Sequence, residues 1–70
     1  MTTENLQDTY LNELRKERSI CTLFLMNGFQ IRCTVLAFDP FCVMVSADGK
    51  QELIDKHAIS TIVPAVPVKF

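Results

Sequence analysis

Few residues in this chain have the types and spacing to do chemistry. There is a single histidine, His57, directly after Lys56. No serine or cysteine stands at a spacing that would make it a nucleophile for that imidazole, and no carboxylate pair is placed for acid–base work. The signatures G-x-x-x-x-G-K-[ST], H-E-x-x-H and G-x-G-x-x-G do not occur. No enzyme and no cofactor are expected. Cys21, Cys33 and Cys42 are odd in number and contain no C-x-x-C. They therefore do not read as a zinc site, any other metal site or a disulfide framework. They read as buried, reduced thiols in a cytoplasmic protein, acting as small apolar side chains. Binding chemistry remains. Lys56-His57-Ala58 places a cation and an imidazole on a turn, and Pro40-Phe41 places an aromatic at another corner. An aromatic face, a cation and amide donors are what a single-stranded RNA pocket requires, because bases stack and phosphates seek positive charge. Each residue alone has a plainer account as a solvated or packed side chain.

Those residues must be positioned by regular elements. Residues 5–17 read as a helix, with Asn5 as N-cap and the Asp8 carboxylate suited to the positive end of the helix dipole. Leu6, Tyr10, Leu11 and Leu14 form one apolar stripe that should pack on a sheet. Arg15, Lys16 and Arg18 near the helix C-terminus offset its dipole. From Ser19 the pattern becomes β. Residues 19–26 are a strand, and Asn27-Gly28 signals a type I′ hairpin turn. Phe29, Ile31, Cys33 and Val35 then alternate with Gln30, Arg32 and Thr34, as in a half-buried strand. Leu36, Ala37 and Phe38 break that alternation, which predicts burial on both faces. After Asp39-Pro40 come strands at 41–45, 51–55 and 59–63, with a second hairpin signal at Ala47-Asp48-Gly49-Lys50. Pro64 and Pro67 should end regular structure, leaving a short tail over 64–70.

The expected fold is mostly β: an N-terminal helix, then a five-stranded, strongly bent antiparallel sheet forming a small open barrel, all in one domain over 1–70. The 70 residues are 49% hydrophobic and 21% charged. A domain this size buries only about 60% of its unfolded surface, so part of the apolar content should be covered by neighbouring subunits. No apolar run has the roughly 20 residues of a membrane span. The first nineteen residues are polar, so no secretory leader is expected. The net charge of -1 gives no overall sign of a nucleic-acid partner, so any such site must come from local charge.

The string Lys56-His57-Ala58-Ile59-Ser60-Thr61, with Asn27-Gly28-Phe29-Gln30, Leu6-Gln7-Asp8 and Leu11-Asn12, resembles Hfq, the bacterial Sm-like RNA chaperone family. The resemblance runs from about Leu6 to Val63. It implies the Sm-like fold, a homohexameric ring, and binding of small regulatory RNAs and messenger RNAs to promote their pairing, in post-transcriptional regulation and stress responses. No small-molecule substrate is implied. It implies three RNA surfaces. A proximal surface for uridine-rich RNA would use Gln7, Phe41, Lys56 and His57. A distal surface for adenine-rich RNA would use Phe24, Leu25, Asn27, Gly28, Phe29 and Gln30. A basic rim would use Asn12, Arg15, Lys16 and Arg18.

Four positions depart from that family's pattern. Cys33 stands where a bend-permitting glycine is usual, which predicts a flatter barrel or a bulge. Asp55 replaces a tyrosine of the subunit contact and should place an anion beside Lys56. Pro40 replaces a polar residue next to Phe41. Glu52 replaces a neutral group near the adenine contacts. The alternative these departures leave open is a structural or protein-binding ring that has lost one or both RNA faces.

Overall fold

The computed structural model describes residues 6–68. Helix α1 spans Leu6–Glu17. Strands β1 (Ile20–Leu25), β2 (Gln30–Phe38), β3 (Cys42–Ala47), β4 (Lys50–Asp55) and β5 (Ile59–Pro64) follow, with a single 3₁₀ turn, Lys56–Ala58, between β4 and β5. They form one sheet in the order β4-β3-β2-β1-β5 with every pairing antiparallel. The sheet does not close: β4 and β5 are its edges. Asn5, the expected helix cap, lies outside the described residues.

The period-2 pattern builds the core. Cys21 and Leu23 of β1, Cys33 and Val35 of β2, Val43 and Val45 of β3 and Ile54 of β4 all point to one face. Leu11 and Leu14 of α1 cover that face and are fully buried. Each such side chain contributes about 1.5–3 kcal/mol of hydrophobic stabilisation. Leu6 does not join the stripe and is 73% exposed. At 3.6 residues per turn it points roughly 110° away from the midpoint of Leu11 and Leu14, so its side chain misses the sheet.

The structure corrects several expectations. Leu36 and Ala37 are exposed and Phe38 is only half-buried. The broken alternation marks a bulge between Val35 and Ala37, which shifts register instead of burying both faces. The distortion is therefore at Leu36; Cys33 stays in regular pairing with Cys21. Phe41 precedes β3 instead of opening it. The Asn27-Gly28 turn is not type I′. Gly28 has φ 94° but Asn27 does not adopt positive φ, and Gly28 N–H donates to Leu25 O while Leu25 N–H donates to Phe29 O. Three residues separate Leu25 and Phe29, so this is a turn closed by a glycine bulge, and it carries Phe29 out of the inward register. The type I′ turn sits at Asp48-Gly49, φ 52° and 75°, where Ala47 pairs directly with Lys50. β5 includes Pro64, paired with Cys21; an edge strand tolerates a residue with no N–H to donate. Cys42 is only partly buried, because it lies on the opposite face of β3 from Val43.

Candidate nucleic-acid interface

Lys56 sits at the start of the 3₁₀ turn and is 92% removed from solvent. A buried ammonium must be paired. Its Nζ donates to Asp8 Oδ1 at 2.8 Å and lies 5.3 Å from the Phe38 ring centroid. Its backbone N–H donates to Phe41 O at 2.8 Å. The turn, the first helical turn and the β2–β3 corner thus meet at one side chain. Gln7, one residue before Asp8, is exposed at the same helix end.

The corner before β3 is built by Asp39. Its carboxylate accepts from Cys42 N–H at 2.7 Å and Phe41 N–H at 2.8 Å, and Asp39 N–H donates to Cys42 O. Those two amide bonds, Cys42 first, hold the Asp39 carboxyl below the usual carboxylate range, with the Lys56 charge adding to them. Pro40 fits because the loop asks nothing of the N–H it lacks. The result is a rigid loop that presents Phe41 with 69% of its surface exposed, beside an anchored cation.

Asp55 does not place its anion on Lys56. Its side chain accepts from His57 N–H at 2.9 Å, capping the 3₁₀ turn, and lies 3.5 Å from His57 Nδ1. The His57 imidazole is otherwise open to solvent.

The β1–β2 hairpin gathers the second group. Phe24 pairs with Gln30 on the outer side of the sheet, while Leu25 packs partly against the core. Asn27 Oδ1 accepts from Phe29 N–H at 3.0 Å, which fixes the turn and leaves Phe29 69% exposed. Met26 N–H donates to Ala58 O at 2.8 Å, so the hairpin tip is bonded to the turn that carries Lys56 and His57. Glu52 shares a shallow hollow with Gln30, Arg32, Asp48 and Lys50. Its charge there is accompanied by two cations, and Arg32 and Lys50 escaped the sequence reading because strand register alone brings them together.

The third group lies along α1. Arg15 bonds Asn12 Oδ1 and its guanidinium is 5.7 Å from the Phe38 centroid. Lys16 pairs loosely with Glu13 at 3.6 Å. Arg18 ends the helix in a left-handed conformation, φ 51°, while Ser19 N–H bonds Leu14 O and Arg18 N–H bonds Arg15 O, a Schellman closure. Phe38 thus serves two cations, one from each basic group. It and Asp8 and Asp39 were missed in sequence: Asp8 read only as a helix-end charge, and Phe38 only as core. Among the described residues, no group of three or more His, Cys, Asp or Glu could hold a metal ion, and no helix is long and apolar enough to cross a membrane.

Residues 6–69 match the family model described as Hfq protein. This chain belongs to the Hfq family. It is 55% identical over 68 residues to the RNA-binding protein Hfq of Anoxybacillus flavithermus, covering 97% of this chain and 92% of that protein. It is 53% identical to the RNA-binding protein Hfq of Brevibacillus brevis, covering 97% and 86%. A crystal structure described as the pleiotropic translational regulator Hfq superposes with a TM-score of 0.82 at 39% identity, covering 84% of this chain and 98% of that one. The helix followed by an open five-stranded antiparallel sheet is accordingly the Sm-like fold, and the Hfq family is not a family of enzymes.

Proposed function

We propose that this Hfq-family chain is an RNA chaperone that binds single-stranded RNA and promotes pairing of small regulatory RNAs with messenger RNAs, acting in the cytoplasm as a homohexameric ring in post-transcriptional and stress regulation. The observation that carries this reading is the Phe41–Lys56 cluster: an exposed aromatic on a carboxylate-braced loop, next to an ammonium held by Asp8. Relatives that bear the name RNA-binding protein Hfq support it. Uridine-rich RNA would stack on Phe41, with Gln7 and Lys56 bonding the base and His57 near phosphate. Adenine-rich RNA would use Phe24, Leu25, Asn27, Gly28, Phe29 and Gln30, and RNA bodies the rim of Asn12, Arg15, Lys16 and Arg18. One stacked base is worth about 1–3 kcal/mol. Repetition around a ring turns each later contact into an intramolecular one and holds two RNAs at high effective concentration.

Fluorescence anisotropy with short uridine-rich and adenine-rich RNAs at fixed salt tests the reading. Lys56→Ala should weaken the uridine-rich ligand about tenfold, the equivalent of about 1.4 kcal/mol, with little effect on the other. Phe29→Ala should do the reverse. If both substitutions weaken both ligands equally, the assignment to two surfaces is wrong. If neither RNA binds above a mixed-sequence control, the chaperone reading fails. Glu52 beside Gln30 favours one narrower alternative, a ring whose adenine surface is lost; uridine-rich binding alone would then remain.

A further inference from the structure

Two of the three cysteines are set face to face, a relation their spacing in sequence does not show. Cys21 of β1 and Cys33 of β2 are direct cross-strand partners, both point into the core, and they are 1% and 4% exposed. Direct opposition on one face of the sheet sets the two thiols side by side. Directly opposed residues of an antiparallel pair have Cα atoms about 4.5–5.5 Å apart. A disulfide spans Cα atoms about 4.4–6.8 Å apart, so the register puts this pair within bridging range. Cys42 is on the opposite face of β3 and has no part in it.

We propose that Cys21 and Cys33 form a cross-strand dithiol that hydrogen peroxide converts to an intramolecular disulfide, a modification site at the base of the β1–β2 hairpin. Burial opposes ionisation of both thiols, and each acts on the other. Either sulfur can attack first, and both orders give the same disulfide. With Cys21 first, its thiolate attacks one peroxide oxygen: an S–O bond forms, the O–O bond breaks and hydroxide leaves. The Cys33 sulfur then attacks Cys21: the S–S bond forms, the S–O bond breaks, and the oxygen leaves as water with the Cys33 proton. Two electrons pass from the sulfurs to the peroxide, the hydroxide takes up the proton lost by the attacking thiol, and the peroxide ends as two waters. Hydrogen peroxide is close to water in size, and Cys33 keeps 4% of its surface exposed. Residues Phe24 to Gln30 lie between the bridged positions, so the cross-link closes the loop that carries the proposed adenine surface. This inference does not rest on RNA binding.

The test is hydrogen peroxide treatment of the folded full-length chain and of Cys42→Ser, followed by trapping of free thiols and non-reducing peptide mapping. Cleavage after Arg32 separates Cys21 from Cys33, and Cys42→Ser removes the one ambiguity in the Cys33 peptide. The expected product is a chain lighter by two hydrogen atoms, with Cys21 joined to Cys33 in both proteins, reversed by dithiothreitol and raising the urea midpoint. In the urea-unfolded chain loop-closure entropy favours the shorter Cys33–Cys42 loop, so a native preference for Cys21–Cys33 reports the folded register. A link through Cys42, a disulfide-joined dimer, a stable sulfenic or sulfinic acid without a cross-link, or no oxidation at all would overturn the proposal.

Discussion

Lys56 is almost fully buried, and its charge would be strongly unfavourable there without Asp8 and the Phe38 ring. Both partners lie far from it in sequence, so the chain's order shows the cation but not what holds it. Asp39 is the converse case, a surface carboxylate whose partners are local. Its folded-state pKa is below the ordinary value, because Cys42 and Phe41 amides donate to the ionised form. Its contribution is therefore complete above the unfolded aspartate value, near about pH 4, and is lost as pH falls through the lower folded value. Asp39→Asn, which keeps an oxygen acceptor, should flatten that part of the acid profile when denaturation midpoints are followed between about pH 2 and pH 6. Asp39→Ala should in addition loosen the Phe41 loop and weaken uridine-rich RNA. An unchanged acid profile in Asp39→Asn would show that the cap contributes nothing to folding.

Helix α1 closes on Arg18, an L-residue in the left-handed region, which costs about 1–2 kcal/mol relative to a residue without a Cβ. Arg18→Gly should therefore raise stability by up to about 1 kcal/mol in urea denaturation. The same change removes a rim cation, so RNA affinity should fall while the fold strengthens. Loss of both together would show that Arg18 braces the helix through its side chain. Alternation located β2 and its inward Cys33 and Val35, while residue type alone marked β1 and β3, and Leu36-Ala37-Phe38 read as doubly buried when it is a bulge. The two Gly-containing turns also differ. Asn27-Gly28 and Asp48-Gly49 look alike as dipeptides, yet only the second closes a two-residue loop. Loop length depends on which strand residues pair, and that is a property of the sheet.

In the whole molecule, both sheet edges carry exposed apolar side chains: Leu53 on β4 at 66% and Val63 on β5 at 48%. Edge strands with free N–H and C=O groups are normally covered, which supports the proposed ring. Leu53→Lys should lower the native mass to that of a monomer while far-ultraviolet circular dichroism stays unchanged. RNA affinity should fall by about a hundredfold or more as the linked sites separate. An intact ring in this variant would place the subunit contact elsewhere. For the native assembly, affinity should fall with rising salt as phosphate contacts release counterions; salt-independent binding would favour a protein-binding ring.

The sequence by itself determined the element order, the inward Cys33 and Val35 of β2, the helix face of Leu11 and Leu14, and the family, because these depend on local periodicity and on residues adjacent in the chain. It also named Phe41 and Lys56, whose chemistry is visible in their types, and Phe29 through the family resemblance. Tertiary structure alone decided that Asp8 and Phe38 serve Lys56, that Asp55 turns to His57, that Arg32 and Lys50 accompany Glu52, and that Cys21 faces Cys33. Apart from the local Asp55–His57 cap, each of these joins segments distant along the chain. Strand register and the packing of α1 on the sheet create them, and register is settled only when all five strands bury their apolar faces at once.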